Sequence, residues 1–127
     1  MLVLEDDQIT KKLWAAVLEK LGMPWERVDW ATSQAHFEAR FNEKLGKHST
    51  YDLVICEIFV PGTKNGIDLW REYRGHGSKF CIVSSIGEEK FRSMIKRGEE
   101  KDCIFIAKPL DPYKCVEILR SIGARHP

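Results

Sequence analysis

The chain has 127 residues, the length of one domain built round a single sizeable core. Its 43% hydrophobic and 31% charged residues are the balance of a soluble globular protein, and 20 basic against 19 acidic side chains leave a net charge of +1. That balance offers no basic stripe to nucleic acid, the apolar runs are too short to span a membrane, and the N-terminus lacks a signal-peptide pattern, so a cytoplasmic location is expected.

Short apolar runs alternate with helical patterns five times, which predicts βα units and a parallel sheet. The first strand, Leu2-Val3-Leu4, delivers Glu5, Asp6 and Asp7 to its C-terminal end. A helix over 8–21 follows, with Ile9, Leu13, Val17 and Leu21 on one inward stripe and Gly22 and Pro24 as its stop. Trp14 and Leu18 lie beside that stripe and widen it, either to dock a partner or to cover the edge of the core. The second strand falls near 27–30, and Ser33 caps a helix in which Phe37, Phe41 and Leu45 repeat every fourth residue.

After a polar loop, the third strand, 53–56, is apolar throughout and delivers Glu57, followed by the turn Ile58-Phe59-Val60-Pro61-Gly62. Gly66 opens a third helix, 67–74, and Gly75-His76-Gly77-Ser78 closes it. The fourth strand, 80–83, delivers Ser84. The fourth helix is expected over 88–97, with Phe91, Met94 and Ile95 inward and Glu88 and Glu89 at the positive end of its dipole. The charged run Glu99-Glu100-Lys101-Asp102 leads to the fifth strand, 103–106, which delivers Lys108 and Pro109. Asp111 and Pro112 are an N-cap and a first-turn proline for a last helix ending near Gly123.

Four cysteines at 56, 81, 103 and 115 have no close spacing, and the expectation is reduced thiols packed as small hydrophobes. The histidines at 36, 48, 76 and 126 lack zinc-ligand spacing with them. The chemistry therefore concentrates at the strand ends. Acids after the first and third strands, a hydroxyl after the fourth and a lysine after the fifth share the carboxyl edge of a parallel sheet, where α/β proteins build their sites. Clustered carboxylates repel, so Glu5, Asp6 and Asp7 call for a cation or a lysine among them.

These landmarks, in this order, resemble the receiver domain of two-component response regulators from Leu2 to about Gly123. The resemblance implies a doubly wound (βα)5 fold of flavodoxin-like strand order 2-1-3-4-5 in one domain over residues 1–127. It implies that Glu5 and Asp6 are the acidic pair that helps bind Mg²⁺, Asp6 directly and Glu5 through water. Glu57 and the backbone carbonyl of Phe59 would complete the set, with Asp7 left to cap the first helix. It also implies that Ser84 and Lys108 contact a phosphoryl group, that a small residue follows at the place of Ser85, and that the peptide bond before Pro109 is cis. Phe105 matches an aromatic that swings between buried and exposed positions, although it reads equally as core.

Glu57 departs from the pattern, because it stands where the family has the phospho-accepting aspartate. Its longer side chain displaces the nucleophile by about 1 Å, enough to cost on the order of a hundredfold in a geometry-dependent transfer. As a phosphate mimic it is partial, with one negative charge against about −1.5 to −2. The loop Gly62-Thr63-Lys64-Asn65-Gly66 and the insert at 99–102 are also longer than the family's usual links.

The expected function is thus a receiver-like signalling module, a pseudo-receiver with weak Mg²⁺ binding, that acts by protein–protein interaction and independently of aspartyl phosphorylation. A histidine kinase or a downstream output protein would be its partner. The family's output face here carries Lys90, Arg92, Lys96, Lys114 and Arg120. The alternatives are an operating Mg²⁺-dependent phospho-accepting regulator and, in another class, a small Mg²⁺-dependent phosphoryl-transfer enzyme. The latter lacks an Asp-x-Asp after any strand. The abrupt start at the first strand is that of a domain that can be cut from a longer protein.

Overall fold

Successive residues of the central strands bury into two separate cores, which is why those strands read as unbroken apolar runs rather than as alternating ones. A computed structural model describes residues 1–122. Its strands are β1 (Leu2–Leu4), β2 (Asp29–Ala31), β3 (Leu53–Glu57), β4 (Lys79–Ser84) and β5 (Cys103–Ala107). All pair in parallel, in the order β2-β1-β3-β4-β5. The helices are α1 (Gln8–Lys20), α2 (Gln34–Gly46), α3 (Gly66–Tyr73), α4 (Glu88–Met94) and α5 (Pro112–Ser121). This is the doubly wound fold expected.

Leu2, Leu4, Val54, Cys56, Phe80 and Ile82 face α2, α3 and α4 and meet Phe37, Phe41, Trp70, Tyr73 and Phe91. Val3, Ile55, Cys81 and Val83 face the other way and meet Trp14, Val17 and Leu18 of α1 and Cys115, Val116 and Leu119 of α5. All four cysteines are free, three buried and Cys103 half-buried. Helix starts follow the expected chemistry. Asp7 accepts the Thr10 N–H at 2.9 Å, Ser33 accepts that of His36 at 3.2 Å, and Asp111 caps α5. No helix among the described residues is long and apolar enough to cross a membrane.

Three expectations fail locally. The buried face of α1 is Thr10, Trp14, Val17 and Leu18, while Ile9 is 72% exposed. Of the expected stripe, Val17 and Leu21 are buried and Leu13 packs partly against the core, so Ile9 alone leaves it. Trp14 and Leu18 are fully buried, so of the two readings of that widened stripe the core one holds. The second strand is Asp29–Ala31, shifted later because Trp25–Arg27 form a 3₁₀ turn first. Finally, α4 stops at Met94, short of residue 97, and Ile95 is extended at φ −114° and ψ 164°. The expected end of the last helix near Gly123 lies outside the described residues, and α5 itself ends at Ser121.

Candidate functional site

Strand order alone brings β1 beside β3 and sets β4 between β3 and β5, so Glu5, Glu57, Ser84 and Lys108 share one edge. Lys108 is fixed there at its backbone, whose N–H donates to the Ser84 carbonyl at 2.9 Å, and by the cis bond to Pro109 that the resemblance implied. Its ammonium lies 2.9 Å from Glu5 Oε1 and 2.7 Å from Glu57 Oε2, and neither of those buried oxygens has another hydrogen-bond partner. The second oxygens face backbone: Glu5 Oε2 accepts the Asp7 N–H at 3.2 Å and Glu57 Oε1 accepts the Phe59 N–H at 3.4 Å.

Glu5 and Glu57 are 1% and 5% exposed, so this is a buried cluster of two acids on one base. Burial raises the Glu5 carboxyl above its ordinary range, and the Lys108 ammonium only partly reverses that. For Lys108, burial works against the charge, but the bonds to Glu57 and Glu5 prevail and hold it charged, above a usual lysine. Of the adjacent acids Glu5, Asp6 and Asp7, only Glu5 gains a lysine partner, and it shares that lysine with Glu57.

The side chains of the other expected site residues make no hydrogen bond or ion pair with this cluster among the described contacts. Asp6 is exposed, as consecutive residues leaving a strand point to opposite sides. Phe59 is exposed as well. Ser84 is fully buried, its Oγ 3.5 Å from the Ile86 N–H that donates to it, while Ser85 is exposed. Phe105 is half-buried and stacks on Phe91 at 4.8 Å, the packing of a core aromatic. Lys90, Arg92, Lys96, Lys114 and Arg120 are all exposed.

The residues do not fit a resident Mg²⁺. A hard dication needs several oxygens converging on it. Here one oxygen from each buried acid is turned onto the ammonium, and among the described residues no three acid, histidine or cysteine side chains could hold a metal ion. Of the expected set, Glu5 and Glu57 each turn one oxygen onto Lys108, whereas Asp6 and Phe59 line a separate, open pocket with Asn65 and Asp68.

Two structural supports of the site escaped sequence reasoning. Gln34, at the start of α2, accepts the N–H groups of Thr63 and Lys64 at 2.7 and 2.8 Å through Oε1, and its own N–H donates to the Pro61 carbonyl at 2.9 Å. It thereby fastens the long loop after β3. Gly62, at φ +136°, lies directly against it, where any side chain would collide with Gln34. Gly66 is the second support. A methyl group there would overlap the Glu57 carbonyl oxygen, so the absence of a side chain lets α3 start against the end of β3. The glycine was visible as a helix opener, but nothing local reveals which backbone it meets.

Similarity to known proteins agrees with this architecture. No family model matches the chain, and no curated protein sequence matches it. Among solved structures it is similar to a two-component response regulator from Cytophaga hutchinsonii (TM-score 0.73, 21% identity, covering 96% of this chain and 94% of that one). It is similar to the receiver domain of NtrX from Brucella abortus, with TM-score 0.73 and 22% identity over 95% of each chain. A two-component response regulator from Clostridium difficile gives TM-score 0.75 and 18% identity over 98% of this chain and 94% of its own. The chain has the fold of response-regulator receiver domains.

Proposed function

We propose that this chain is a receiver-like signalling module that works through protein–protein contacts, without phosphorylation of a strand-end carboxylate. One observation carries the reading: the Glu57 carboxylate is buried and held 2.7 Å from Lys108. In-line phosphoryl transfer depends on where the nucleophile sits, and a misplacement of about 1 Å can cost on the order of a hundredfold. The extra methylene of glutamate is a displacement of that size.

In this reading the domain is not an enzyme, and its partners are a histidine kinase or a downstream output protein. No step is assigned to a bound metal. Acetyl phosphate with Mg²⁺, followed by intact-mass spectrometry, tests the proposal. The wild type gains no phosphoryl group, and Glu57→Asp, which restores the shorter acid, gains one. A phosphoryl group on Glu57 of the wild type overturns it. If neither form is labelled, the fastened loop after β3 blocks the site as well.

A further inference from the structure

The segment between α4 and β5 holds a buried charge that the reading above does not use. Glu99 is 8% exposed in a 3₁₀ turn, Glu99–Asp102. Arg71 donates to it from Nη2 at 3.0 Å and from Nε at 3.3 Å, and Arg74 donates from Nη1 at 3.0 Å. The Lys96 N–H donates to the same carboxylate at 2.6 Å. Arg71 and Arg74 are three apart and share one face of the end of α3, and the Arg74 guanidinium lies 4.8 Å over the Trp70 ring. Burying a carboxylate is costly, and four charge-assisted or short hydrogen bonds from three residues offset that cost while fixing one geometry.

Two of these contacts take backbone groups that a longer α4 would use. In a continued helix the Met94 carbonyl accepts from the fourth residue on, and the Lys96 N–H donates to the fourth residue back. Here the Met94 carbonyl accepts from Arg71 Nη2 at 3.2 Å and the Lys96 N–H goes to Glu99. The sequence itself favours continuation. Lys96 and Arg97 are good helix formers, and the stripe Phe91, Met94, Ile95 keeps helical spacing. Gly98 follows in the left-handed conformation, φ 94° and ψ −20°, which is the geometry of a residue just past a helix end, although the helix stops before Ile95.

We infer that Glu99, gripped by Arg71 and Arg74, is a latch that holds residues 95–97 off a helical continuation of α4, so that α4 has a short latched form and a long unlatched one. Release lengthens α4 to Arg97 with Gly98 as its cap and redraws the surface beside β5, where Cys103, Ile104 and Phe105 are only half-buried. The latch is independent of the state of Glu57, so labelling by acetyl phosphate has no bearing on it.

The test is the ¹³Cα chemical shift of residues 95–97 in the full chain, wild type against Glu99→Gln, which keeps the shape and removes the charge. In the wild type these shifts are those of non-helical backbone. In Glu99→Gln they move by at least half of the way to helical values, and amide exchange at Arg97 and Gly98 slows several-fold. Arg71→Gln is the second variant should the first fail to fold, and it gives the same displacement by freeing the Met94 carbonyl. Unchanged shifts in the folded variants overturn the inference, and so does a move to random-coil values, which would make the segment a tether with no helical alternative.

Discussion

Lys108 is the shared ion-pair partner of two buried carboxylates at the ends of separate strands, 2.9 Å and 2.7 Å away, and no other basic side chain reaches either of them among the described ion pairs. Replacing it with methionine leaves both acids buried and unpaired, a class of change that costs about 3–5 kcal/mol. Denaturant unfolding of Lys108→Met should show that loss, and adding Glu5→Gln should recover part of it. Asp6→Asn should change stability by less than about 0.5 kcal/mol, since Asp6 is exposed and outside the pair. A thermal melt with a large loss would instead make Asp6 a structural partner. Gly66→Ala puts a methyl group on the Glu57 carbonyl oxygen and must move backbone, so a loss of about 3 kcal/mol is expected on the same denaturant curve.

At the scale of elements, two side chains fasten two long connections. Gln34→Ala removes two backbone donors' partner at Thr63 and Lys64, worth about 1 kcal/mol each. Faster exchange of those two amides, with the sheet unchanged, is the expected readout. The second fastening gives a pH signature. The hydrogen bonds from Arg71 and from the Lys96 N–H pull the Glu99 carboxyl down from 4.5 to about 2. Because its folded value lies below its unfolded one, its contribution is complete above about pH 4.5 and drains as the pH falls towards 2. Melting temperatures of wild type and Glu99→Gln should therefore differ most near neutrality and draw together as the pH falls from about 4.5 towards 2. A difference that persists at pH 2 would place its source elsewhere.

For the whole molecule, an internal ammonium in the acid cluster means that Mg²⁺ must displace Lys108 before it meets the buried oxygens. No saturable change in tryptophan fluorescence or melting temperature is expected below the millimolar range, and tight binding at micromolar Mg²⁺ would show that Lys108 moves aside readily. The fold needed little beyond the sequence. Five short strands alternating with helical periods, four of them leading into a polar residue, dictate a parallel sheet with its chemistry at one edge. Caps at Asp7, Ser33 and Asp111 were legible because a cap is a contact within three residues. Glu5, Glu57, Ser84 and Lys108 were legible as a group because strand ends in one parallel sheet share an edge.

What tertiary structure decided were matters of facing and reach, which depend on partners far along the chain. Nothing within α1 tells that Trp14, Val17, Leu18 and Leu21 enter one core while Ile9 is left exposed. Residues 95–97 carry a helical pattern that lost to Arg71 and Glu99, groups 28 residues apart. Glu57 stood out in the sequence as a strand-end acid, but only the packed strands showed that its carboxylate is held on Lys108 together with that of Glu5, while Asp6 is exposed. Sequence fixes propensity and order through contacts over a few residues, whereas the ownership of a buried charge is settled by whichever distant group the fold brings within about 3 Å of it.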